Sequence, residues 1–186
     1  MLKLIPKTIF KLIGWRVDVT LPKEKKFVLI GAHHTSNWDF PLTILVFWTL
    51  NLKAHWVGKN QLFRGPLGSL FTALGGIPVD RSAANGFIGQ IAERFNHSQE
   101  MVLAIAPEGT REKTDYWKTG FYYIALKANV PICLGYIDYA NRTIGFAQML
   151  IPGGDIEKDF EQIKLFYQNK KGKYPEKQST MQIKKS

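Results

Sequence analysis

A chain of 186 residues that is 45% hydrophobic and 22% charged has the composition of one globular domain, which excludes a disordered or fibrous protein. Its formal net charge of +10 calls for an anionic partner or surface. The lone cysteine, Cys133, lies in the apolar run VPICLGYI; this excludes a disulfide framework and a cysteine zinc cluster, and reads as a buried small hydrophobe in a reducing, cytoplasmic compartment.

Residues 1–22 form an amphipathic opening segment. In MLKLIPKTIFKLIGWR, Lys3, Lys7 and Lys11 stack on one helical face, with Leu2, Ile5, Ile9, Leu12 and Ile13 opposite. Leu4 breaks the pattern and Pro6 limits the first turn. The pattern fits a helix lying in a membrane interface, where each of Lys3, Lys7, Lys11 and Arg16 would contribute about 1 kcal/mol near anionic lipid. It fits equally a core-packed terminal helix with a wet basic face. The segment keeps its lysines throughout and has no small-residue cleavage site, so it is a poor secretory signal.

The body of the chain, residues 23–169, alternates strand and helix patterns. FVLIGA (27–32) predicts a buried strand, Asn37 to Leu50 a helix, AHWVGK (54–59) a weaker strand and GPLGSLFTALGG (65–76) a short helix. GIPV (76–79) is a brief strand, 86–97 a helix and MVLAIAP (101–107) the clearest strand. A helix over 118–130 stops at Pro131; strands follow over 132–138 and 143–151, and an amphipathic helix over 155–169. The longest uncharged apolar run, Phe40 to Leu52, is 13 residues and contains Pro41, whereas a membrane span needs about 20. Residues 170–186 carry six lysines against one glutamate and read as a solvated, mobile basic tail.

The alternation predicts a single α/β domain around a mostly parallel or mixed central sheet flanked by helices. Ligands of such sheets bind beyond the carboxyl ends of the strands. Polar clusters follow strand ends here: His33-His34, Lys59-Asn60, Asp80-Arg81 and PEGTR at 107–111. Parallel neighbours would bring these clusters to one rim.

HHTSNWDF (33–40) is ambiguous by itself. His34 and Asp39 can be a general base and the carboxylate that orients it. Ser36-Asn37-Trp38-Asp39 is also a capping box with Ser36 as N-cap, the commoner meaning of such a tetrapeptide. In PEGTR, Arg111 can grip a phosphate in a planar, bidentate way, with help from the turn amides and the Thr110 hydroxyl. The alternative is a polar turn with Glu108 paired to Arg111 or Arg81. Lys59, Arg64, Arg81 and Arg111 together would form a cationic rim for a phosphorylated ligand. There is no G-x-S-x-G elbow around Ser36 and no P-loop, and the spacing of His33, His34, Asp39 and Glu108 matches no zinc motif, so no metal is expected.

Taken in order, His34-x4-Asp39, GGIPVDR (75–81), PEGTR and VPI (130–132) resemble the four sequence blocks of the glycerolipid acyltransferases, the family that contains lysophosphatidate acyltransferase. WKTGFYYIALKANVPI (117–132) is similar to that family's lysine-glycine-helix segment, and the resemblance runs from about residue 28 to 137. The fourth block departs from it, with Leu134 where the family often has a second proline. The resemblance implies an O-acyltransferase in which His34, oriented by Asp39, deprotonates the acceptor hydroxyl as it attacks an acyl thioester of coenzyme A or acyl carrier protein. It implies that Arg81, Arg111, Thr110 and Lys59 hold the acceptor's phosphate, with Glu108 and Gly109 shaping the turn. The acceptor would be a lysophospholipid, foremost 1-acyl-glycerol-3-phosphate, and the thioester a cosubstrate with no further cofactor. An anionic membrane would then be the partner of the basic surface, with the protein peripheral on the inner face of the cell membrane. Two other readings remain at this stage: the same chemistry on another acceptor such as an aminolipid, and a non-catalytic basic protein that binds membrane or nucleic acid. No recognised nucleic-acid motif supports the last.

Overall fold

The computed structural model describes residues 4–20, 22–79 and 84–184. Seven strands form one mixed sheet: β1 (Arg16–Val19), β2 (Lys26–Ala32), β3 (Ala54–Lys59), β4 (Gly76–Val79), β5 (Met101–Ile105), β6 (Ile132–Asp138) and β7 (Thr143–Leu150), in the order β1-β7-β6-β2-β5-β3-β4. The helices are α1 (Leu4–Leu12), α2 (Asp39–Leu50), α3 (Asn60–Arg64), α4 (Gly68–Ala73), α5 (Ala84–His97), α6 (Gly120–Ala128) and α7 (Ile156–Tyr167). The fold class is that expected from the alternation, an α/β domain with flanking helices.

β2 explains the layering. Val28, Ile30 and Ala32 point to one face, against Ile91 and Phe95 of α5, Phe121 and Ile124 of α6, and Phe160 and Ile163 of α7. Phe27 and Leu29 point to the other, against Phe10 of α1 and Val46 and Phe47 of α2. A strand covered on both faces has no wet side to alternate with, hence its unbroken apolar run. Cys133 is a free, buried thiol among the residues of the second face, as its apolar context predicted. β6, β2, β5, β3 and β4 all run parallel, so their carboxyl ends share one edge; the turn over 139–142 sends β7 back antiparallel to β6, and β1 pairs parallel to β7.

Three local expectations change. The helix expected over 65–76 is shortened to α4 (Gly68–Ala73), and a separate helix not expected from the sequence, α3 (Asn60–Arg64), precedes it across Gly65 and Pro66. Pro66 has no amide to continue a helix, and Gly68 sits so tightly against the Phe63 carbonyl that no Cβ would fit. Arg16–Val19, within the amphipathic opening segment, is an edge strand. The basic segment after 169 is not a free tail over its described residues: it folds back along the carboxyl edge of the sheet, with Gly172 and Ser179 buried and Pro175–Lys177 in a short 3-10 turn.

Candidate active site

The carboxyl end of β2 leads into residues 33–38, which double back so that Asp39, first residue of α2, meets the loop that precedes it. His34 Nδ1 lies 2.9 Å from Asp39 Oδ2. The same oxygen accepts the backbone amides of Thr35 at 3.1 Å and Ser36 at 3.0 Å. Asp39 Oδ1 accepts the Tyr139 hydroxyl at 2.7 Å. The two readings of HHTSNWDF are therefore both realised by one carboxylate, which takes the Ser36 amide as a capping box would and the imidazole as an orienting acid would. The other half of the box is absent: Ser36 Oγ accepts the amide of Trp38 at 3.1 Å, and no side chain caps α2.

The chemistry follows from the acceptor. An ionised carboxylate only accepts, so Nδ1 must carry the proton and Nε2 presents its lone pair. The His34 side chain is 28% exposed and that of Asp39 6%. A fixed, partly open imidazole backed by a buried carboxylate is the arrangement of a general base.

Glu108 comes from the turn after β5, the neighbouring strand. It points inward and not to Arg111: Oε1 accepts the backbone amide of His34 at 3.2 Å, and the side chain is only 2% exposed. Burial pushes its carboxyl up to about 7, against the opposing pull of the backbone amides. His33, also buried, has Nδ1 3.8 Å from Glu108 Oε1 and stands edge-on to Trp117 and Tyr167. Burial lowers its pKa, so its imidazole is held neutral. Among the described residues, His33 Nδ1, Glu108 Oε2 and Trp117 Nε1 have no hydrogen-bond partner. Position thus separates the two histidines: His34 opens to solvent and His33 packs behind it.

The other predicted residues that the structure describes lie along the same edge. Gly109 takes φ +64, a conformation that favours glycine, and its amide closes the turn onto Ala106 O at 3.0 Å. The aliphatic chain of Lys118 lies over Gly109, where an added Cβ would come within 3.2 Å of Lys118 Cδ. Thr110 Oγ1 accepts the Glu112 amide at 3.3 Å, and Arg111 is exposed. Lys59 ends β3 and is exposed. Arg81 falls outside the described residues. Among the described residues, no group of three His, Cys, Asp or Glu is placed to hold a metal.

Two neighbours were not singled out from the sequence as site residues. Tyr139, just past β6, donates to Asp39 and packs edge-on to Trp15 with centroids 5.0 Å apart. Lys118 belongs to the lysine-glycine-helix phrase, where nothing in the local sequence ties it to Gly109. Only strand order reveals Tyr139, because β6 is adjacent to β2 but 100 residues away from Asp39 in sequence.

A family model described as Acyltransferase matches residues 16–134, more than half of the chain. The fold is similar to that of the crystal structure of the 1-acyl-sn-glycerophosphate (LPA) acyltransferase, PlsC, from Thermotoga maritima, with a TM-score of 0.55 at 17% identity over 87% of this chain and 73% of that one. No match was found among curated proteins. With its blocks in family order and the family model spanning them, this chain belongs to the acyltransferase family, in agreement with its resemblance to the glycerolipid acyltransferases.

Proposed function

We propose that the protein transfers a fatty acyl chain from a thioester of coenzyme A or acyl carrier protein to the hydroxyl of a lysophospholipid, foremost 1-acyl-glycerol-3-phosphate. The observation that carries this reading is the 2.9 Å contact of His34 Nδ1 with Asp39, on an imidazole left part-exposed at the carboxyl edge of a parallel sheet. The acceptor oxygen attacks the thioester carbonyl while its proton passes to His34 Nε2. The tetrahedral oxyanion then collapses, expelling the thiolate, which takes the proton back from His34. A positioned base contributes typically 10²–10⁴-fold. Arg111, Arg81 and Thr110 are assigned to the acceptor's phosphate by their sequence blocks and Lys59 by its place at the end of β3, with Arg111 and Lys59 exposed at the sheet edge in support. No cofactor beyond the thioester is required by these steps.

The membrane would present the acceptor, with the protein peripheral on its inner, cytoplasmic face. No helix among the described residues is long and apolar enough to cross a bilayer. α1 buries Phe10 in the core, yet exposes Lys7, Lys11 and Leu12, and Ile13 just after it, a mixed apolar and cationic edge suited to an anionic interface.

The test is purified protein with labelled acyl donor against a panel of lysolipids and an aminolipid acceptor, read by product mass. His34→Ala should remain folded and fall to near background; retention of most activity would remove His34 as base. Arg111→Ala and Arg81→Ala should raise KM strongly for the phosphate acceptor. An unchanged KM would move the acceptor assignment to the aminolipid.

A further inference from the structure

The segment after α7 touches all three loops that build the site. Lys171 O accepts the amide of Tyr139 at 2.9 Å, fixing the residue that donates to Asp39. Gly172 lies against the catalytic loop: a Cβ there would come within 2.7 Å of Thr35 Oγ1, 3.0 Å of Thr35 Cγ2 and 3.4 Å of His33 Cβ. The amide of Tyr174 donates to Thr35 Oγ1 at 3.2 Å. Further on, Ser179 Oγ accepts the Thr114 amide at 3.1 Å, the Thr180 amide donates to Thr114 O at 3.1 Å, and Gln182 O accepts the Trp117 amide at 2.8 Å. Thr114 and Trp117 belong to the loop that begins with Glu108 and Gly109.

We infer that residues 171–182 are a strap that positions the catalytic base, with Gly172 and Thr35 as its positioning residues. Thr35 is the hinge of the argument. Its amide donates to the Asp39 oxygen that holds His34, while its hydroxyl is held by the strap. His34 is thus bracketed by His33 and Thr35, the two residues that a Cβ at Gly172 would meet. Only a residue without a side chain leaves the loop where Asp39 can bond the imidazole and two amides together. Proton transfer depends steeply on such placement, and a misplacement of about 1 Å can cost 10²-fold. The strap touches neither reacting atom, so its effect falls on turnover and not on binding.

The inference rests on His34 as base, and one series of variants separates the two. With 1-acyl-glycerol-3-phosphate and labelled acyl-CoA as probes, Gly172→Ala should lower kcat about 10- to 100-fold with both KM values within about twofold. Thr35→Ala should also lower kcat, Thr35→Ser should restore it, and Gly172→Ala added to Thr35→Ala should cost little more, because the atoms it would strike are gone. Gly172→Ala and Thr35→Ala that shift only the urea midpoint at wild-type kcat would reduce the strap to a folding clip and overturn the inference. If Gly172→Ala does not fold, Thr35→Ala, which removes atoms without a clash, decides by the same criterion. Activity surviving His34→Ala overturns the base assignment instead; loss there with normal kcat in the strap variants overturns the strap alone.

Discussion

Asp39 holds four bonds with two oxygens, and any substitution must break some of them. An asparagine in its place would present one acceptor and one donor, so it could not both accept Tyr139 and gather His34 with the two amides. Asp39→Asn should lower kcat by about 10²–10⁴-fold, through loss of the fixed tautomer, and destabilise the fold by about 1–3 kcal/mol through the unpaired buried groups. Tyr139→Phe is the milder test for catalysis: it removes a single donor to a charged acceptor, worth roughly 1.5–3 kcal/mol, and leaves the His34 contact in place. Urea midpoints of the two variants should therefore fall by similar amounts, while steady-state kinetics separates them, with Asp39→Asn the worse for turnover by far. Equal kcat in the two would deny Asp39 its orienting role.

At the scale of the element, α1 answers the question its wheel left open. Phe10 is 2% exposed and joins the core face shared with α2, so the helix packs on the domain and does not lie free. What stays wet includes Lys7, Lys11 and Leu12. Stability and membrane attraction therefore reside in different side chains of one helix. Lys7→Gln with Lys11→Gln should leave the urea midpoint unchanged and weaken binding to anionic vesicles by about 1 kcal/mol per lysine, with the difference fading as salt rises. Vesicle co-sedimentation at low and high salt checks this, and unchanged binding at low salt would take α1 out of the interface.

For the whole molecule, Glu108 ties stability to pH. Its carboxyl sits at about 7 in the fold against an ordinary value of 4.5, because burial penalises the anion. Between those values the folded chain holds a proton that the unfolded chain releases. The contribution is complete below about pH 4.5 and is lost as pH rises through 7, an effect of roughly 3 kcal/mol. His33 acts with the opposite sign: burial lowers its pKa below 6.5, so its contribution is lost as pH falls. Glu108→Gln should therefore gain stability relative to wild type between about pH 5 and pH 8, measured by urea unfolding; a constant difference would show that Glu108 does not titrate there.

Much of the fold was legible because its signals are local. β2, β5 and β6 are buried on both faces and appear as apolar runs; Pro131 stops a helix pattern wherever it stands; Ser36 to Asp39 spells its turn in four residues. The four blocks also carried the family, since order along the chain is a property of sequence. What the sequence by itself determined, then, was an α/β domain, the pairing of His34 with Asp39 and the edge where they sit. Only the tertiary structure decided that Tyr139 completes the Asp39 cage, that Glu108 is a buried neighbour and not Arg111's partner, and that the lysine-rich end hydrogen-bonds to the loops around His34. Each of these depends on strands and loops far apart in sequence becoming neighbours. Charge and hydropathy along the chain are blind to that: a run of lysines reads as solvated until Lys171 O, the Tyr174 amide and the Ser179 hydroxyl find hydrogen-bond partners on Tyr139, Thr35 and Thr114.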